Sequence, residues 1–208
     1  EKLLIFDGNG KSQIMKIHEI NKDSVSLYAP KNIINKPKNI PEIILAISLI
    51  KPSRFETAIE KTTELGVSEI YPMVTQNTST IFHKRMNQKI VDRMTNIAIS
   101  AAEQCGNDFI PQIHSPIELE KILNFNDEET KFILYYEKAK LDSKIDIKIT
   151  DYKKVVILIG PEGGFTESEY SQISQKSLVL SLGENILRTE TASICAVHEL
   201  NRLIRSTL

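Results

Sequence analysis

Residues 154–160 read Lys-Val-Val-Ile-Leu-Ile-Gly, five consecutive aliphatic side chains closed by a glycine. A strand that is apolar on both faces has no solvent side, so it belongs inside a sheet covered above and below, which implies a mostly parallel sheet. Glu42 to Leu49 repeats the pattern. Helix-period segments alternate with strands around these two runs. Pro52 opens a helix with Phe55, Ala58, Ile59, Thr62 and Leu65 on one face, and Gly66 stops it. A strand at Ile70–Val74, a long helix from about Lys84 to Gln104 and a short helix near Pro116–Leu123 follow. The pattern continues with a strand at Lys131–Tyr136 and a loose connection at Asp142–Asp151. After the aliphatic run come a helix from Thr166, a strand at Ser177–Leu182 and a helix from Thr189 to Ile204. This alternation predicts an α/β fold, a parallel sheet with helices on both faces.

The front of the chain follows another grammar. Leu3–Phe6, then Ile14, Met15, Ile17 and Ile20, then Val25, Leu27 and Tyr28 alternate in the strand period, with turns at Asp7–Gly10 and Asn21–Asp23. They read as a small antiparallel meander, and three strands are few for a closed barrel, so N-terminal strands are expected to be missing. Pro30–Pro41, rich in Lys, Asn and Pro, reads as a linker. Two domains are therefore expected, 1–35 and 41–208. Lys and Arg total 26 against 27 Asp and Glu, a formal charge of -1, which excludes a uniformly basic nucleic-acid coat but not a local basic face. No apolar run approaches the roughly 20 residues of a membrane span and no signal-peptide pattern is visible, so the cytoplasm is the expected location. Cys105 and Cys195 lack CxxC spacing, and His18, His83, His114 and His198 are not at ligand spacing; no metal is expected.

In an open α/β sheet, ligands bind beyond the carboxyl ends of the strands. Two loops occupy such ends. The first, Gly160-Pro161-Glu162-Gly163-Gly164-Phe165, lets a ligand approach bare backbone amides, and Thr166 with Glu169 forms a capping box behind it. It matches neither a dinucleotide fingerprint nor a phosphate loop, and Glu162 would repel a phosphate. A neutral or cationic ligand suits it better, although a tight turn without a ligand is the plain alternative. The second loop, Leu182–Ala192, gathers Arg188, Thr189, Glu190 and Thr191 at a helix start. Thr189 or Thr191 as N-cap and Glu190 against the dipole explain those three without a ligand. Arg188 is harder to explain, because a cation is misplaced at a helix N-terminus.

Together, GPEGGFTESE and SLGENILRTETA resemble the SPOUT methyltransferase superfamily and, more closely, the RsmE family, which methylates N3 of a uridine in 16S ribosomal RNA. Lys51–Glu56, Lys61–Val67 and Ala101–Gly106 agree, so the resemblance runs from Ile43 onward. It implies a SPOUT-type sheet with a C-terminal trefoil knot, preceded by a partial PUA-like β-barrel that binds RNA. It implies S-adenosyl-L-methionine as cofactor, held by Tyr136, Ile159, Gly160, Glu162, Gly163, Gly164, Leu182, Gly183, Ile186, Leu187 and Thr191. It also implies a homodimer acting on the small ribosomal subunit. Two positions depart from the family pattern: Asn107, where Arg is usual, and Glu184-Asn185, where Pro-Arg is usual.

Uridine N3 becomes nucleophilic only when its proton leaves, with charge spreading onto O2 and O4. Arg188 is the expected stabiliser of that charge, since a guanidinium stays protonated and is no base. Glu190 or Glu162 is the expected proton acceptor, although Glu190 also suits orienting Arg188. Lys51, Arg54 and Lys61 are expected to meet RNA, with Arg54 on its backbone or target base; a solvated helix face is the alternative for the two lysines. Gln104 is a further RNA candidate or a structural amide. Lys84, Arg85, Lys89 and Arg93 form a second basic stretch that suits phosphates or an exposed face. A SPOUT enzyme acting on another RNA, such as a tRNA ribose 2′-OH, and a non-catalytic RNA-binding module remain the competing readings.

Overall fold

The two aliphatic runs lie side by side at the centre of one parallel sheet. The structure is a computed structural model describing residues 2–29, 32–38, 40–125, 128–136, 139 and 148–206. Its larger sheet has strands β5 (Glu42–Ser48), β6 (Glu69–Val74), β7 (Gln112–Ile113), β8 (Ile117–Glu118), β9 (Thr130–Tyr135), β10 (Lys154–Ile159) and β11 (Ser177–Leu180). Their order is β11-β9-β10-β5-β6-β7, with β8 also on β6, and every pairing is parallel. Val155 aligns with Ile43 and Ile159 with Ile47, so the two runs pack in register.

Alternation within each strand splits the core into two layers. Leu45, Ile47, Ile133, Val155 and Ile157 face α1 (Pro52–Glu64), α3 (Gln88–Cys105) and α6 (Thr189–Ser206), through Phe55, Met94, Ala98 and Val197. Ile44, Ala46, Leu134, Val156 and Leu158 face α4 (Leu119–Ile122) and α5 (Glu167–Lys176), through Ile122 and Ile173. Helices thus cover both faces, as the aliphatic runs require. No helix among the described residues is long and apolar enough to cross a membrane.

The N-terminal segment forms a separate antiparallel sheet of β1 (Lys2–Phe6), β2 (Lys11–Ile20) and β3 (Val25–Tyr28), with a fourth strand, β4 (Ile34–Asn35), that the linker reading does not anticipate. β4 shares one edge of β2 with β3, pairing with Lys11 and Ser12. Its partner is more than twenty positions away, so local composition carries no trace of it.

The helical stretch after β6 is also divided. Helix α2 (Thr80–Arg85) stops and Asn87 restarts the chain, its side chain accepting from the Ile90 amide at 3.2 Å. The segment at 116–123 opens as strand β8 before turning into α4, and β11 ends two residues early, at Leu180. Of the expected loose connection, 142–147 lie outside the described residues, and Ile149–Asp151 form a 3₁₀ turn that buries Ile149.

Candidate functional site

The carboxyl ends of β9 and β10 and the loop after β11 meet around a cavity of about 280 Å³. The strand order explains the position. The chain steps outward from β5 through β6 to β7, then crosses to β9, and β10 inserts between β9 and β5. Loops leaving β9 and β10 therefore diverge beside one another, which opens a crevice at that edge.

The cavity is lined by Tyr136, Ile159, Gly160, Glu162, Gly164, Leu182, Gly183, Ile186, Leu187 and Arg188, all expected site residues. Tyr135, Pro161, Phe165, Asn185, Thr189 and Ala192 complete the wall. Gly163 and Thr191, also expected there, are not among the lining residues. Gly160 is a glycine because the Phe165 ring packs onto its backbone: a Cβ there would lie 2.9 Å from the ring. The turn is closed by the Gly164 amide donating to Pro161 O at 2.8 Å. Thr166 and Glu169 form the expected capping box on α5.

Thr189 has a different duty from the expected cap. Its hydroxyl donates to Gly160 O at 3.1 Å, tying the two glycine loops together. The first turn of α6 is instead closed by the Ala192 amide on Arg188 O at 2.8 Å. Arg188 is exposed at the cavity wall, and no ion pair engages it among the described residues. Glu190 does not orient it. Its Oε1 lies 3.6 Å from Arg54 Nε, and its Oε2 is buried without a hydrogen-bond partner among the described residues. Arg54 also donates to Glu162 at 2.6 Å, so one guanidinium on α1 joins a carboxylate from each loop.

Tyr135 and Tyr136 close the other side. Tyr136 packs on Tyr170 of α5 with ring centroids 4.6 Å apart. Burial pushes the Tyr135 phenol well above its ordinary pKa, so it remains an O–H donor at neutral pH. Tyr135 contributes to the cavity wall, while its phenol oxygen is buried, with no hydrogen-bond partner among the described residues.

The other RNA candidates scatter. Lys51 is exposed just beyond β5, on the same edge of the sheet as the cavity. Lys61 lies two turns along α1 from Arg54, held by Glu60 at 2.7 Å and Glu64 at 2.9 Å, which push its pKa above the usual lysine range. Gln104 is exposed at the C-terminal end of α3, which leads into β7 and so sits at the opposite edge of the sheet. The two departures also separate: Asn185 lines the cavity, whereas Asn107 caps the Phe109 amide at the far edge. Arg93 is exposed and paired with Glu56; the Arg85 side chain lies outside the described residues. Among the described residues no group of three or more His, Cys, Asp or Glu side chains could hold a metal.

The chemistry of the wall suits a compact ligand that is apolar in part and cationic elsewhere. Leu182, Ile186, Leu187, Ala192 and Phe165 offer a slot for a flat ring, and Glu162 offers an anion. Comparison with known proteins agrees. Residues 36–201 match the RNA methyltransferase domain family. The Ribosomal RNA small subunit methyltransferase E of Mesomycoplasma hyopneumoniae is 35% identical over 162 residues, covering 77% of this chain and 68% of that protein. A methyltransferase from Legionella pneumophila, solved with bound SAM, is 33% identical with a TM-score of 0.83, covering 97% of this chain and 83% of the other. A Ribosomal RNA small subunit methyltransferase E from Neisseria gonorrhoeae, bound to S-adenosyl methionine, is 28% identical with a TM-score of 0.81, covering 98% and 83%. The chain belongs to the RNA methyltransferase domain family and, within it, to the Ribosomal RNA small subunit methyltransferase E family.

Proposed function

We propose that this chain methylates N3 of a uridine in the 16S ribosomal RNA of the small subunit, using S-adenosyl-L-methionine. One observation carries the reading: the two glycine loops and Tyr135 enclose a cavity that combines an apolar slot and a carboxylate with the Arg188 guanidinium, which no ion pair engages among the described residues. The cavity fits the cofactor, with Leu182, Ile186, Leu187 and Ala192 against the adenine and Glu162 near the positive end. When bound, S-adenosyl-L-methionine supplies a methyl group on a sulfonium, an electrophile that needs no metal.

The protein's own residues do the rest. Arg188 offers its charge where the uracil oxygens become negative, stabilisation that counts only as the N3 proton leaves. Glu162, on the cavity wall, and Glu190, which shares Arg54 with it, are the candidate proton acceptors. Arg54 orders both of them and, with Lys51 on the same edge, presents positive charge to the RNA backbone.

The finer architecture belongs to the same proposal. Insertion of β10 between β9 and β5 supports a trefoil knot in the C-terminal region. The exposed apolar face of Leu4, Ile14, Tyr28 and Ile34 supports reading residues 1–35 as part of a PUA-like barrel, with 41–208 as the methyltransferase domain. Ile186, 83% exposed at the cavity wall, supports a homodimer in which a second copy covers it. Action on the small subunit supports a cytoplasmic location.

The test is calorimetric titration with S-adenosyl-L-methionine, with NAD and ATP as controls, followed by incubation with small ribosomal subunits. Selective binding and a new reverse-transcriptase stop at one uridine are expected, because N3 methylation blocks pairing. Protection from alkaline cleavage without a stop would move the target to a ribose 2′-OH. A folded protein that binds no cofactor would overturn the enzyme reading.

A further inference from the structure

A third loop stands at the same edge of the sheet, between β6 and α2, and nothing above gives it a role. Thr75-Gln76-Asn77-Thr78 is braced from within. The Thr75 amide donates to Thr78 Oγ1 at 2.8 Å, the two hydroxyls lie 2.9 Å apart, and the Thr78 amide donates to Thr75 O at 3.0 Å. Both threonines are buried, so the turn is a fixed support.

From that support, two groups reach the glycine loop at separate points. Asn77 Nδ2 donates to Gly163 O at 3.1 Å and to Gly164 O at 3.0 Å. The Gln76 amide donates to Glu169 Oε1 at 2.8 Å, while Glu169 Oε2 accepts from the Thr166 amide and hydroxyl. Both partners of Asn77 are carbonyl oxygens, so only the orientation that points its NH₂ at them is satisfied. Gly163 lacks a side chain where it meets this residue: a Cβ there would lie 3.3 Å from Asn77 Cβ.

We propose that Asn77 is a positioning residue for the cofactor cavity, acting through the glycine loop and touching no ligand itself. Asn77 is not part of the cavity wall, whereas Gly160, Pro161, Glu162 and Gly164 are. Its two bonds tie the carbonyls of Gly163 and Gly164 to the loop between β6 and α2. This keeps the Pro161–Gly164 turn closed, so Glu162 and the loop backbone present one fixed surface. A preformed surface spares the ligand the cost of ordering the loop, which appears as affinity. The inference rests on the cofactor reading above.

The experiment compares Asn77→Asp and Asn77→Ala with the wild-type chain by hydrogen exchange of the ligand-free proteins and by calorimetry with S-adenosyl-L-methionine. Aspartate keeps the volume but sets carboxylate oxygens against two carbonyls, so it is the harsher change. In Asn77→Asp, the amides of Gly164 and Thr166 should exchange roughly tenfold faster, as expected for two lost hydrogen bonds. The β10 amides should keep wild-type rates. The cofactor Kd should rise by a similar factor, with a smaller rise in Asn77→Ala, while kcat at saturating cofactor stays within about twofold. Wild-type exchange and Kd in both variants would overturn the proposal. So would exchange accelerated equally throughout the sheet, which would make Asn77 a general stability residue. A wild-type chain that binds no cofactor would sink the functional reading instead, and the exchange rates would still report whether the clasp holds the loop.

Discussion

Arg188 occupies a place that helix electrostatics disfavour. It precedes α6, whose N-terminus carries partial positive charge, and among the described residues no carboxylate pairs with it. The position makes sense if the charge acts on something that enters the cavity. Arg188→Ala is therefore expected to lower kcat by roughly 10²–10³, the usual result of deleting one electrostatic stabiliser of a transition state. Cofactor affinity should move less than about threefold, and stability should hold or rise by a few tenths of a kcal/mol as the dipole conflict is relieved. Single-turnover kinetics beside calorimetry separates these effects; an equal loss in affinity and turnover would remove Arg188 from the chemistry. Glu190 shows the opposite situation. Its sequence position suggests a partner three residues or fewer away, yet its neighbour is Arg54, which arrives from α1. Such a pairing is invisible locally, because it depends on how α1 and α6 pack together.

The elements that were legible are those whose signals are local. Thr166 and Glu169 stand three apart, and their capping box forms as the spacing predicts, with Glu169 Oε2 accepting from the Thr166 amide at 2.9 Å. Thr166→Ala should cost about 1 kcal/mol in a urea melt. Gly160 and Gly164 likewise announced their loop. The break before α3 was illegible because Asn87 interrupts an otherwise helical stretch, and β4 because its partner lies in β2. The pairing of β6 with the segment after β7 is also long-range. There His114 bonds Glu69 at 2.8 Å and stacks on Tyr71 with centroids 3.8 Å apart. The His114 hydrogen bond, then that of Tyr71, lowers the Glu69 pKa from its ordinary value of 4.5 despite burial. A carboxylate with a depressed folded pKa adds stability above its unfolded pKa, and that stability is lost as pH falls through the folded value. Urea melts from pH 6 downward should therefore show wild-type stability declining below about pH 4.5, with a shallower decline in His114→Ala. Identical slopes would show that this contact carries no linkage.

At the scale of the molecule, the cavity was largely legible: both glycine loops and the strand end at Tyr135-Tyr136 are marked in the sequence, whereas the Thr75–Thr78 support takes its place only through strand order. The relation of the two sheets is a further product of tertiary structure. The Asp7–Gly10 turn docks on residues 108–110, with the Gly10 amide on Asp108 O and the Ile110 amide on Gly8 O, both at 3.0 Å. Phe109 fills the space beside Gly10, where a Cβ would lie 2.4 Å from the ring. Within this contact the Asp108 side chain is 1% exposed, and it is met by Ser12 Oγ at 2.9 Å and Lys36 Nζ at 2.8 Å. Ser12 belongs to β2 and Lys36 directly follows β4, so the carboxylate is a latch between the sheets. Removing the counter-charge of a buried carboxylate costs roughly 3–5 kcal/mol when both partners are buried. Lys36 is half in water, and solvent screening brings the expected cost of Lys36→Ala down to about 2 kcal/mol. Ser12→Ala, which removes one neutral donor from the carboxylate and leaves Lys36 in place, should cost about 1.5 kcal/mol, the low end for a hydrogen bond to a charged group. The larger loss should fall on the docking of the units, so calorimetric unfolding of Lys36→Ala should begin in the N-terminal sheet and separate from the main transition. A single transition shifted no further than that of Ser12→Ala would show that apolar contacts around Phe109, and not the ion pair, hold the two sheets together.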